Sequence, residues 1–342
     1  MTSSKVISGI DEKEIQATFN TLQDELQAGL KLYWDTATQI LDTSSIKVLD
    51  PTDDYFSMEK NFFSSMFLYS YFRAEIPKSR RIFYAAVNQC LRGMVTGCDN
   101  ILDDEYKMTL ATDLPLKASK FRSIIDIMVS DRVLFSILER QFTLNDLTLD
   151  QVLAASNESL RTLAKSGAQE ASEEKGAGKI LEPEYILSHI HSLKTGVLFQ
   201  SPWALPDLLE DTTLLEDPEG VKNALFDIGM GCQVFDDMVD LSLDTKTNHH
   251  NYVASLIQYG ENRDETALFE TILQDRNKIE ISEDFLFQFP SSRKKAAIKA
   301  LDLLKTGAKN LFAPEHQFMV DTSILMISKR IHADRFLSDI EN

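Results

Sequence analysis

Apolar residues recur every three or four positions along most of this chain, the period of helices with one buried side. Ile15, Phe19, Leu22 and Leu26 predict an amphipathic opening helix after a ten-residue tail, with Asp11 and Glu14 as its capping pair. Asp50-Pro51 marks a break, and SMEKNFFSSMFLYSYFR then predicts a strongly aromatic helix. After Pro77, residues 78–105 form one long pattern whose stripe includes Val87, Leu91, Met94, Cys98 and Ile101. Further helices are predicted over 115–141 and 148–174, the second running into glycines that mark a turn.

Pro183 suits the first turn of the next helix. That helix meets Lys194-Thr195-Gly196, where the glycine is expected to end or bend it and leave the lysine facing a cavity. Residues 205–220 read as an acidic loop, and TKTNHHN, after Asp244, as a mobile one. The region 266–340 alternates helical runs with a break at Phe289-Pro290.

Composition agrees with long helices. The 342 residues include only 13 glycines and 9 prolines, about half the usual share. Length alone allows two domains, but no Ser/Gly/Pro-rich linker divides the chain, so residues 11–342 are expected to form a single all-α domain. A formal charge of −18 argues against nucleic acid and against electrostatic binding to anionic membranes. Cys90, Cys98 and Cys232 lack zinc-site spacing and lie in apolar helical patterns, so buried thiols are expected. No apolar signal core and no stretch of membrane-spanning length is found, and a reducing, cytoplasmic location is the default.

The chemistry concentrates in two acidic runs. In 229–244, GMGCQVFDDMVDLSLD, an apolar stripe of Leu225, Ile228, Cys232, Phe235 and Val239 lies beside a second stripe of Gly229, Gln233, Asp236 and Asp240. Asp236 and Asp240 are one turn apart, with Asp237 alongside. Carboxylates held this close beside a buried face call for a compensating cation, whereas a solvated acidic face rarely sits inside so apolar a run. The second run, DNILDDE, ends the 78–105 pattern and pairs Asp99 with Asp103 and Asn100 with Asp104 at four-residue spacing. The two runs hold eight of the 53 acidic residues, so most of the charge is ordinary surface.

Two such helices beside an apolar, aromatic cavity suit magnesium bridging carboxylates to a substrate phosphate. Lys194 would add a positive contact to a diphosphate. The histidines are poor candidates by comparison: His189 and His191 are two apart and so point in different directions, and His249 and His250 sit in a polar stretch.

The chain resembles the trans-prenyl diphosphate synthases. Gly229-x-x-x-Gln233-x-x-Asp236-Asp237-x-x-Asp240 matches their second aspartate-rich motif, Lys194-Thr195 their Lys-Thr motif, and Gln169 the glutamine of their Gly-Gln motif. Asp99-Asn100-Ile101-Leu102-Asp103 stands where Asp-Asp-x-x-Asp is expected, with Asn in second place. The resemblance implies the all-α isoprenoid-synthase helical bundle around a central apolar cavity. It further implies facing motifs with three magnesium ions (Mg2+) between them and an allylic prenyl diphosphate, and a homodimer.

The departures concern the second substrate. Family members that elongate chains carry Gly-Gly-Lys-x-x-Arg-Pro near the start, and here the run is Met58-Glu59-Lys60-Asn61-Phe62-Phe63-Ser64, with Phe63 in the arginine's place. The Arg-Arg-Gly after the first motif is missing, leaving Lys107, and the lysine-rich continuation of the second shrinks to Lys246. Replacing Arg with Phe removes five donors. The favoured expectation is therefore a class I terpene synthase or cyclase that ionises an allylic diphosphate and quenches the carbocation. A prenyltransferase holding its second substrate through Lys60, Arg80, Arg81 and Lys246 is the first alternative, and a non-catalytic partner subunit the second. The expected metal ligands are Asp99, Asp103, Asp236, Asp237 and Asp240, with Asp104 as a substitute. Lys194, Thr195 and Gln233 are expected at the diphosphate. Phe62, Phe63, Met94 and Val95 are expected in the cavity wall, where core packing explains them equally well.

Overall fold

Glu25 breaks the apolar face of the first helix, and the residue that compensates it locates that face. In the computed structural model, which describes residues 12–52 and 54–339, α1 (Glu12–Leu41) buries Leu22, Leu26, Leu30, Tyr33 and Ala37 along one side. Within that side Glu25 is fully buried and accepts two hydrogen bonds from Arg81, at 2.8 and 2.6 Å. The expected tail and Asp11 lie outside the described residues. Arg81 belongs to α3 (Lys78–Leu102), which follows α2 (Phe62–Arg73). Removing either member of such a buried pair strands a charge, which is far costlier than losing an exposed pair.

The described residues divide between two compact units. One holds those up to Arg161 together with Pro202–Pro218; the other holds Thr162–Ser201 and those from Glu219 onward. In the first unit α1 and α3 pack on α4 (Ser119–Thr143), where Tyr33 and Ser130 hydroxyls meet at 3.0 Å in the interior. α5 (Leu149–Glu173) opens on a reciprocal cap: Thr148 Oγ1 accepts from Gln151 N–H, and Gln151 Oε1 from Thr148 N–H. Near 202 the chain is pinned by Trp203, fully buried, whose ring N–H donates to Ser70 Oγ at 3.0 Å. Tyr71 donates to the Pro202 carbonyl at 2.7 Å. That anchoring explains why 205–220, expected as a loop, instead carries α8 (Ala204–Leu209) and a short 3-10 turn at Thr212–Leu214.

The second unit takes in the end of α5 from Thr162 and continues with consecutive helical turns: α6 (Pro183–Tyr185), a π-helix (Ile186–Gly196) and α7 (Val197–Gln200). Pro183 occupies the first turn as expected. α9 (Pro218–Val239) buries side chains around nearly its whole circumference from Val221 to Phe235, as a central helix does. After it come α10 (Leu241–Thr247), α11 (Tyr252–Tyr259), α12 (Arg263–Leu273), α13 (Pro290–Leu311) and α14 (Met319–Arg330). Glu265 of α12 is buried and caps α13, accepting from the N–H groups of Ser291 (2.6 Å) and Ser292 (3.1 Å).

The stretch after Asp244 departs from the expected mobile loop. Asn248 takes a left-handed conformation (φ 62°) that ends α10, and Asn251 caps α11 by accepting from Val253 and Ala254 N–H. Cys90 and Cys232 are buried, but Cys98 is exposed, because its side of α3 is no longer covered in the last turn, where Leu102 is exposed as well. No helix among the described residues is long and apolar enough to cross a membrane.

Candidate functional site

The second acidic run is organised by close approach between α9 and the π-helix. A methyl group on Gly229 would lie 2.8 Å from Phe199 side-chain carbons and 2.9 Å from the Thr195 carbonyl oxygen. Only hydrogen at that position lets the two helices come so near. One turn further along α9, Gln233 accepts from the Thr195 hydroxyl and donates to Asp237 Oδ1 at 2.9 Å, with Asp236 Oδ2 at 3.4 Å. The predicted stripe of Gly229, Gln233 and Asp236 is thus one continuous contact line with Thr195.

Asp237 differs from its neighbours. It is 1% exposed, while Asp236 is exposed and Asp240 half-buried. Its Oδ2 accepts from Tyr252 N–H and lies 2.7 Å from His191 Nε2; its Oδ1 is taken by Gln233. Expected as a metal ligand, this carboxylate is instead turned inward onto three protein donors. The polar pattern placed it beside Asp236, but the direction of its side chain is set by partners 15 and 46 residues away. His191, discounted from its spacing, is one of them and is itself buried. Its position four residues before Thr195, about one helical turn, is the signal that was available.

Lys194 points to Glu170 of α5, Nζ to Oε1 3.1 Å, and its carbonyl accepts from Ser166 Oγ at 2.6 Å. Burial works against the ammonium, but Glu170, supported by Glu173 and Asp237, outweighs it and holds the pKa above the ordinary lysine value. Gln169 donates to Glu173 at 3.0 Å, and the other Glu173 oxygen accepts from His250 N–H. Asp244, bonded to Asn251 at 2.8 Å, has its carboxyl pushed well above the usual range by burial and by the charges of Asp237 and Asp240.

The first run terminates α3. Asp99 and Asp103 are exposed, with Asp103 at the helix C-cap donating its N–H to the Asp99 carbonyl at 2.8 Å. Asn100 is buried and holds the outgoing chain: its Nδ2 donates to the Lys107 carbonyl (3.0 Å) and its Oδ1 accepts from Lys107 N–H (2.8 Å). Asp104 follows with φ 54° and pairs with Lys120 at 3.1 Å. Below this segment Asp126 of α4 is buried near the Tyr106 hydroxyl (3.4 Å).

Lys60 is exposed and pairs with Asp54 at 2.6 Å; Lys246 donates to the Ile279 carbonyl at 3.0 Å. Arg80 bonds Glu210 and Tyr84, and Arg81 bonds Glu25. Phe63 stacks edgewise on Phe62 at the start of α2 and is half-buried, Met94 is buried, and Val95 is half-buried on α3.

The donor set fits magnesium. Each run presents aspartates at its first and fifth positions, hard monodentate oxygens of the kind magnesium takes in ones and twos beside substrate phosphates and waters. Among the described residues no three His, Cys, Asp or Glu side chains converge into a ready-made cage.

No protein-family model matches the sequence, and no curated protein matches it. The fold does have solved counterparts. A geranylgeranyl pyrophosphate synthase from Lactobacillus brevis superposes with a TM-score of 0.55 at 14% identity, covering 93% of this chain and 100% of that one. A decaprenyl diphosphate synthase from Rhodobacter capsulatus gives 0.55 at 13%, covering 90% and 99%. A geranylgeranyl pyrophosphate synthetase from the archaeon Geoglobus acetivorans gives 0.51 at 17%, covering 92% and 99%. The chain therefore has the all-α isoprenoid-synthase fold.

Proposed function

We propose that this chain is a class I isoprenoid synthase that binds an allylic prenyl diphosphate and uses it as a prenyl donor. The observation that carries the reading is the common design of the two acidic runs. The first and fifth positions, Asp99 with Asp103 and Asp236 with Asp240, are the magnesium ligands of this reading, while the second positions, Asn100 and Asp237, are buried in hydrogen bonds. Magnesium bound there supplies the positive charge that stabilises a departing diphosphate. Lys194, kept charged by Glu170, contacts the same anion, and Thr195 with Gln233 orients Asp236. Prenyl transfer takes first place over the cyclase expectation because the solved structures with this fold bear the names of prenyl diphosphate synthases.

Cyclisation without a second substrate remains as a second reading on one specific observation. Phe63 replaces the arginine of the second-substrate motif, and Lys60, Arg80 and Arg81 are each engaged by a carboxylate of the chain itself. Incubation of the purified protein with geranyl, farnesyl or geranylgeranyl diphosphate and magnesium, with and without isopentenyl diphosphate, separates the two. A longer diphosphate formed only with isopentenyl diphosphate supports prenyl transfer. A hydrocarbon or alcohol of unchanged carbon number supports cyclisation. No turnover of any mixture overturns both and leaves a non-catalytic partner subunit.

The working form in this reading is a homodimer. Phe121, Met128, Phe135 and Phe142 recur every seven residues on the outer side of α4 and are exposed, as is Ile124 beside them. This apolar seam, about 32 Å long at the helical rise, lies opposite the buried Ser123, Asp126, Ser130 and Val133. Heptad spacing and continuity suit a matching helix from a second copy.

A further inference from the structure

Among the described residues the His191 ring makes one hydrogen bond, to Asp237. Its other ring nitrogen, Nδ1, is buried and has no hydrogen-bond partner among the described residues. A ring buried with one nitrogen unsatisfied is costly to keep, so the Nε2 contact is what the position supplies. From there a chain of contacts leads to the run's exposed carboxylate: His191 to Asp237, Asp237 to Gln233, and Gln233 to both Asp236 and the Thr195 hydroxyl. Tyr252 N–H closes the other side of Asp237, and Asn251 holds its carbonyl at 2.8 Å.

We infer that His191 is a positioning residue: by donating to Asp237 it keeps that carboxylate turned inward, which fixes Gln233 and thereby aims Asp236 at a divalent cation. The inference rests on the metal-dependent reading of the run given above. A carboxylate that loses one of three buried donors is drawn toward solvent or toward the neighbouring cation site, and Gln233 then loses the partner that sets its rotamer. Leucine fills the volume of His191 with no donor. Glutamine reaches to about the Nε2 position with an N–H, and asparagine is one bond too short.

The test compares wild type with His191→Leu, His191→Gln and His191→Asn. Folding is checked by circular dichroism, Mn2+ affinity of the substrate-free protein is read by electron paramagnetic resonance, and Mg2+ half-saturation is followed separately from kcat. Expected for His191→Leu is a loss of Mn2+ affinity and a rise in Mg2+ half-saturation of about tenfold or more, the usual scale for groups that orient metal ligands. kcat at saturating Mg2+ should change less, and His191→Gln should recover most of the affinity. A folded His191→Leu protein with wild-type Mn2+ affinity overturns the inference and leaves His191 as packing. If the leucine variant does not fold, His191→Asn decides on the same criterion. Wild-type protein that binds Mn2+ but turns over no prenyl diphosphate overturns the functional reading alone, since the affinity comparison still stands. Wild-type protein that binds no Mn2+ overturns both.

Discussion

Asn100 and Lys107 are joined by a reciprocal pair of hydrogen bonds that requires an amide: Nδ2 to the lysine carbonyl at 3.0 Å and the lysine N–H to Oδ1 at 2.8 Å. The asparagine that breaks the Asp-Asp-x-x-Asp pattern is thus the clasp that returns the chain after α3.

Restoring the pattern should therefore do harm. Asn100→Asp sets an acceptor against the Lys107 carbonyl in a buried site and should cost about 2–3 kcal/mol of stability without raising metal-dependent turnover. Urea unfolding of the purified variant checks this, and equal midpoints would show that the clasp contributes nothing.

Asp126 gives a pH signature. Burial pushes its carboxyl up to about 7, with Arg122 and the Tyr106 hydroxyl pulling the other way. The unfolded chain releases that proton near pH 4 (about 3.9 for a free aspartate), so between the two values the folded state holds more protons. Stability from this group is present at the acid end and is lost as pH rises through the folded value, by up to about 1.4 kcal/mol per unit. Asp126→Asn removes that fall. The variant should gain on wild type between pH 5 and pH 8 in unfolding midpoints, and a constant gap would assign the titration elsewhere.

Two glycines should respond in opposite directions to the same change. Gly229→Ala meets the Thr195 carbonyl and the Phe199 side chain at under 3 Å, and backbone oxygen does not swing aside, so a loss of about 1–3 kcal/mol is expected. Gly167→Ala on α5 meets nothing within 4 Å and should gain about 0.5–1 kcal/mol from helix propensity. Thermal midpoints of the two variants measure both effects.

The α4 seam sets the oligomeric state in the reading above. Phe135→Glu places a charge in its middle and should leave monomers at concentrations where wild type elutes at twice the mass of one chain. Light scattering on a sizing column reads this directly, and a dimeric variant would move the interface off α4.

Much of this protein was legible before any coordinates. Helical periodicity, Pro183 in a first turn and the four-residue spacing of the aspartates are local properties, each decided by residues within a turn or two. For the same reason the sequence by itself determined the fold class. The inward turn of Asp237 onto His191 and Tyr252, the clasp of Asn100 on Lys107 and the pinning of the 202–218 segment by Trp203 were decided only by tertiary structure. A polar side chain's direction depends on which donors burial brings to it, and those donors lie up to 133 residues away along the chain.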